Sequence, residues 1–437
     1  MKSKLLALLF LFSLSLQAQV KYFEKILSEK INMNSNSIIA LNDSTFMFSG
    51  RFMIDSSLTT FHSYFASITS LGVTSEIHVF SSDTVGGDYG ISEFISTDFG
   101  FAATGNISPD FIDSGISAIF LAIDPALNVA NFTDIGISDV NDCGYSIAQN
   151  EESNFFIGGY YMPTFLTPLR EKLYLTKVSP SGEKLWEYTN WSYPYNCSFR
   201  AVLPAPDGGC YAAGYIGYNV PSTGDFVLVK LNSNGTEVWA KIFDFDGSDF
   251  AVGLIKTPDN CLMLCGQSGI YKAHLMKVAL NGDTIWNKQY FPNEDRSGFL
   301  KVASMPNNTF VAIGSIKSND DPDMDLLITK VDSVGNIRWV RRYGSPFYHD
   351  YGYDFTPVPQ PLGGFVVVGR SDTIVPTSTP GVYLTLGRGY IVKTNCMGLL
   401  TLPQAAFTIS QDSNLPARFL FTNQSQYAYP DSIDGGY

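Results

Sequence analysis

The sequence predicts an all-β fold, and three regularities carry that prediction. The pattern Lys-[Val/Leu]-x-x-x-Gly-x-x-x-Trp occurs four times: Lys177, Gly182, Trp186; Lys230, Gly235, Trp239; Lys277, Gly282, Trp286; and Lys330, Gly335, Trp339. Its tryptophans stand 53, 47 and 53 residues apart, the interval of a stacked supersecondary unit. A short apolar run closed by glycine occurs seven times, at Gly50, Gly105, Gly159, Gly214, Gly266, Gly314 and Gly369. Between these repeats, apolar runs of four to six residues alternate with turn residues, and no stretch has helical period.

Each unit reads as two hairpins. A β-forming run (173–178, 226–231, 275–278, 326–331) meets a turn such as Asn232-Ser233-Asn234-Gly235. Asn, Asp and Ser open such turns by bonding their own backbone, and a final glycine takes the left-handed conformation that closes them. The strand that follows carries the tryptophan. A second hairpin ends in the apolar strand and glycine, as in Phe310-Val311-Ala312-Ile313-Gly314. Seven copies of two hairpins give seven four-stranded antiparallel sheets.

Units of this size suit a seven-bladed β-propeller, in which radial repetition protects sheet edges. The tryptophans are expected to wedge between neighbouring blades. Ring closure is read from the two ends. The seventh copy has its first strand at 389–393 and its turn at Gly398, but Leu402 and Pro403 stand where a tryptophan strand belongs. Proline removes a ladder donor. Phe23-Glu24-Lys25-Ile26-Leu27 aligns with Trp239-Ala240-Lys241-Ile242-Phe243, so residues 20–28 are expected to supply the closing strand.

Composition bounds the location. Residues 1–18 read as a secretory signal, with Lys2 and Lys4 before an apolar run that is too short to span a bilayer. The product is therefore expected outside the cytoplasm: secreted, at the cell surface or periplasmic, with no membrane span. A net charge of −13 argues against a nucleic-acid partner, which needs a basic face. Six cysteines do not form a small-domain disulfide framework; Cys143 and Cys197, read as matching positions, stand as a bridge or as buried thiols. The propeller is expected over 19–400 and a separate segment over 401–437. A monomer is expected.

The repeats resemble the secreted propeller proteins of Bacteroidetes-type bacteria, whose units run Lys-x-Asp-x-x-Gly-x-x-x-Trp and Asp-Gly-Gly-[aromatic]-x-x-x-Gly. Here Lys330-Val331-Asp332 through Trp339, and Asp207-Gly208-Gly209 through Gly214, carry the resemblance. In the second repeat Phe132 is read as standing for the tryptophan and Asn128 for the glycine. The Gly-x-x-x-Trp element is also similar to the tryptophan-docking repeat of quinoprotein dehydrogenases and of outer-membrane assembly lipoproteins. Residues 405–425, with Ala-x-Phe and later Phe-x-Asn-x-Ser, resemble the first strands of a polycystic-kidney-disease-type immunoglobulin-like domain. They stop before its Trp-Asp-Phe-Gly-Asp-Gly, so an incomplete domain is expected, in a fragment or a truncated product.

Candidate site residues come from the repeat itself. Asp88, Asp142, Asn196, Asp249 and Asp350 recur at the start of one strand, which places them in a circle at one mouth of the channel. They could hold a cation or polar ligand, or each could tie down its own loop or the next blade. Repetition favours the second reading, because binding sites usually break symmetry. Asp321-Pro322-Asp323-Met324-Asp325 resembles the start of a calcium loop, but Leu326 replaces its glycine and the distal glutamate is missing. No cofactor is expected, calcium being the lesser reading. The repeated lysines (Lys177, Lys230, Lys277, Lys330, Lys393) could form a basic stripe, but are read as solvated strand ends or partners of nearby carboxylates.

Four histidines form no zinc motif, and neither a nucleophile elbow nor a phosphate loop is present. The expected function is a non-catalytic binding or interaction scaffold for an extracellular glycan or protein. The alternative is a carbohydrate hydrolase or lyase, which would show two carboxylates in a concave site among exposed aromatics.

Overall fold

A computed structural model describes residues 21–27, 31–53, 61–80, 88–108, 115–137, 140–163, 170–190, 192–193, 195–219, 223–245, 247–344, 348–359, 363–376, 383–400, 407–411 and 419–423. The signal-like segment, Leu402 and Pro403 lie outside them. Seven four-stranded antiparallel sheets form the body. Blades 1 to 6 span 31–80, 88–134, 141–190, 197–243, 250–289 and 296–343, and blade 7 joins 348–394 to Phe23–Leu27. Within each blade the first strand is innermost, and it touches the first strands of both neighbouring blades all the way round. The chain is therefore a closed seven-bladed propeller, as the repeat interval predicts. Apolar packing falls into seven clusters, one at each seam between blades.

The repeated glycines have a specific cause. In every blade the inner strand carries a bulge of one residue opposite the glycine that closes the second strand. The bulge drives an inner-strand carbonyl oxygen into the space a side chain would need. A Cβ at Gly50, Gly105, Gly159, Gly214, Gly266, Gly314 or Gly369 would lie 1.8–2.0 Å from that oxygen. Only glycine fits, and the sevenfold glycine is the sequence image of a sevenfold bulge.

Docking between blades joins the tryptophans to the second glycine set. Gly235, Gly282, Gly335 and Gly398 have φ between +68° and +83°. Each turn receives the aromatic ring of the preceding blade: Trp186, Trp239, Trp286 and Trp339 respectively. The indole nitrogens of Trp186 and Trp286 donate to Ser233 O (2.9 Å) and Ser333 O (3.1 Å). Trp339 is buried at 4 % exposure, whereas the other three are half-buried at the outer rim.

The second repeat departs from the sequence reading by one residue. Asn131, not Phe132, pairs with Ala122 in the register where Trp186 pairs with Lys177. The Asn131 amide donates to Ser181 O (2.6 Å), as the indoles do in later blades. Likewise Leu127, not Asn128, holds the turn position, with φ of 67°. Phe132 instead packs into the seam between blades 1 and 2. Aromatic character was the misleading signal; hydrogen-bonding reach defines the position.

The N-terminal strand closes the ring. Phe23 pairs with Lys393, Lys25 with Ile391 and Leu27 with Gly389. Phe23 takes the tryptophan register of blade 7, and its ring lies against the turn glycine of blade 1, Gly72. Beyond the ring, Phe407–Gln411 and Phe419–Asn423 form a separate antiparallel pair.

Candidate functional site

Counting from the bulge fixes the channel-mouth positions. Asp142, Asp249, Ser297 and Asp350 share one register, and Cys197 and Met33 share it too. Asn196 and Asp88 fall one residue earlier. Asp142 is buried, and its carboxylate accepts from the backbone N–H of Ala118 (2.5 Å) and Ile137 (2.6 Å). Asp249 accepts from Phe245 and Gly269, both at 2.8 Å. Ser297 accepts from Ala273 (2.9 Å), and Asn196 from Glu171 (3.2 Å). These side chains fasten the inner strand to the loop or third strand of the preceding blade, and Asp249 also to the Gly269 turn of its own blade. Burial raises the Asp142 carboxyl to about 6.

Among the described residues, the same seams contain one carboxylate group that could hold a metal ion. Asp225, Asp244 and Asp249 each offer an oxygen, all within 4.8 Å of one another. Burial, then the two neighbouring carboxylates, raise Asp225 to about 6. Lys172 and Lys272 occupy the same register in blades 3 and 5. Their ammonium groups donate to loop carbonyls, Tyr193 and Tyr195 for Lys172, Glu294 and Asp295 for Lys272. Hard oxygen ligands of this kind suit calcium.

Of the repeated lysines, Lys177 pairs with Glu152 (3.6 Å), whereas Lys393 donates to the Lys21 backbone carbonyl (2.8 Å) and not to a carboxylate. Lys230 pairs with Asp207 (2.7 Å) and Lys277 with Asp259 (2.6 Å). All six cysteines are free thiols, Cys143 and Cys197 included.

At the end of the channel where the inner strands begin, blades 4 to 6 enclose a cavity of about 270 Å³. Its polar wall is Arg200, Tyr215, Gln267, Arg296, Ser297 and Ser315; its apolar wall includes Phe250, Phe299 and Met324. Among the described residues no aspartate or glutamate lines it. Arg200 is the bulge residue of blade 4, and Tyr215 follows the invariant glycine of that blade. The Arg200 guanidinium lies 3.7 Å over the Tyr145 ring and 5.6 Å over Tyr215. Arg296 lies 4.4 Å over Tyr271. Tyr215 meets Phe250 edge to face at 4.8 Å, and its hydroxyl donates to Glu171 (2.9 Å). Burial pushes the Tyr145 hydroxyl up to about 12 and Tyr215 higher still.

Deeper in the channel a charge cluster crosses the axis. Lys301 of blade 6 forms an ion pair with Glu93 of blade 2, skipping the two blades between them. The other Glu93 oxygen accepts from Ile147 N (2.9 Å) in blade 3, and Asp354 accepts from Ile38 N (3.0 Å) in blade 1. The cluster joins five blades and places charge across the middle of the channel.

No family model matches the chain, and no curated protein does. Solved structures do resemble it. Sqt1 from Chaetomium thermophilum is 11 % identical, covering 85 % of this chain and all of that one, with a TM-score of 0.47. A GH93 α-L-arabinofuranosidase of Fusarium graminearum, solved with arabinobiose, is 10 % identical over 69 % of this chain and 93 % of its own, at 0.47. A protein of unknown function from Dyadobacter fermentans is 11 % identical over 85 % and 98 %, at 0.43. At such identity none of these activities passes to this chain.

Proposed function

We propose that the protein is a secreted or cell-surface binding module without catalytic activity, whose ligand, a glycan or a protein, enters the cavity of blades 4 to 6. The observation that carries this reading is the lining. Glycoside hydrolysis needs two carboxyl groups roughly 5–10 Å apart flanking one bond, and the described residues of the cavity wall supply none. Elimination by a lyase needs a base whose pKa lies near the working pH. The Tyr145 hydroxyl beside Arg200 is held at about 12 by burial, which suits a structural phenol rather than a base. What the wall does supply is recognition: two guanidinium groups, hydroxyls, an amide and aromatic faces, converging on a pocket. Location outside the cytoplasm rests on the signal-like residues 1–18.

The test is a panel of extracellular polysaccharides and proteins, scored for retention and for product release together. Retention with unchanged ligand is the expected result. Turnover of any polysaccharide would replace this reading with the hydrolase or lyase.

A further inference from the structure

We propose that the cavity takes a carboxylate-bearing saccharide, a glycan with uronic acid residues, whose carboxylate pairs with Arg200 and Arg296. The inference rests on the binding-module reading above and specifies its ligand. Neither arginine has a carboxylate within ion-pair distance among the described residues. Glu171, the acid nearest to Arg200 in its electrostatic surroundings, accepts the Tyr215 hydroxyl instead. Aromatic rings hold both guanidiniums by their faces. Such contacts stabilise the charge and position the fork: the Tyr145 and Tyr215 hydroxyls also hydrogen-bond the Arg200 guanidinium, while Arg296 is exposed at the cavity. A planar fork fixed in this way matches a carboxylate in bidentate fashion.

Charge distribution points the same way. The chain carries 41 acidic against 28 basic residues, so its general surface repels an anion. The cavity, with two arginines and no acid among the described residues of its wall, is a local reversal. Its size and its apolar wall narrow the ligand further. About 270 Å³ lies just under the ~300–1,000 Å³ of ordinary small-molecule pockets, which suits one sugar ring at a time. Phe250 and Tyr215 offer that ring an aromatic wall, which a lone aspartate or glutamate side chain would leave uncovered.

Titration calorimetry on the full chain tests this with an oligogalacturonate, its methyl ester, a neutral glucan oligomer and polyglutamate. The oligogalacturonate should bind, weaken at least tenfold on methyl esterification, and weaken as added salt rises. Arg296 is exposed, so Arg296→Gln should fold normally and bind at least tenfold less well. Arg200→Lys, which keeps the charge and loses the fork, should also weaken binding. Equal binding of the acid and its ester, or an unchanged affinity in Arg296→Gln, would overturn the uronate inference and leave the binding module standing. Binding of polyglutamate alone would overturn it in favour of an acidic protein ligand. If no probe binds and the wider panel retains nothing, the reading beneath it fails as well.

Discussion

Single side chains carry the joints between blades, and their burial ranks what each joint contributes. Trp339 is almost wholly enclosed, so Trp339→Ala should cost about 3–5 kcal/mol. Trp186 is half-buried and should cost less, about 2 kcal/mol, scaled to the area it covers. Urea denaturation of the two variants would measure the difference, and equal losses would contradict the ranking. His274 gives a second residue-scale expectation. Its Nδ1 meets Ser268 Oγ at 2.6 Å in a buried site, and burial lowers its pKa to about 4. The unfolded chain takes up this proton near ~6.5, so as pH falls from there towards 4 the histidine favours unfolding. That contribution stops growing once the folded ring also protonates. An NMR titration of the His274 ring should show a midpoint near 4; a midpoint near 6.5 would contradict its burial.

At the scale of strands and turns, the sequence was most legible where geometry admits a single residue type. The sevenfold glycine opposite the bulge and the turn glycines at positive φ could be read directly, because any Cβ collides or strains there. Positions defined by hydrogen bonding were read one residue out. Asn131 does the work of an indole without resembling one, and Asn196 precedes the register that Cys197 occupies. The cavity went unseen for the opposite reason. Several of its residues come from the bulge and from the position after the repeated glycine, which holds five residue types in seven blades: Arg51, Asn106, Tyr160, Tyr215, Gln267, Ser315, Arg370. A search for the most variable polar position beside the most constant glycine would have found it. The closing strand, in contrast, was legible because Phe23 keeps both the aromatic ring and the register. Removing residues 1–27 should leave blade 7 with an open edge, a lower melting temperature and aggregation. A monomeric truncated chain of unchanged melting temperature would contradict this closure.

Across the whole molecule, two features break the sevenfold repetition, one across the channel and one at its mouth. The Lys301–Glu93 pair spans the channel with a third of the lysine side chain still accessible to water. Lys301→Met should cost about 2–3 kcal/mol, between the ~1 of an exposed pair and the ~3–5 of a fully buried one. It leaves Glu93 and Asp354 without their shared cation. Adding Glu93→Gln should restore part of the loss, and strictly additive losses in a double-mutant cycle would contradict the coupling. The cavity is the other break: an arginine-lined recess on one side of an acidic ring, set in strands that each carry the bulge. Hydrogen–deuterium exchange of the full chain, with and without saturating oligogalacturonate, tests that placement most directly. Slowed exchange confined to residues 196–203 and 296–302 is the predicted result. Binding that protects the outer strands and leaves those two segments unchanged would contradict it.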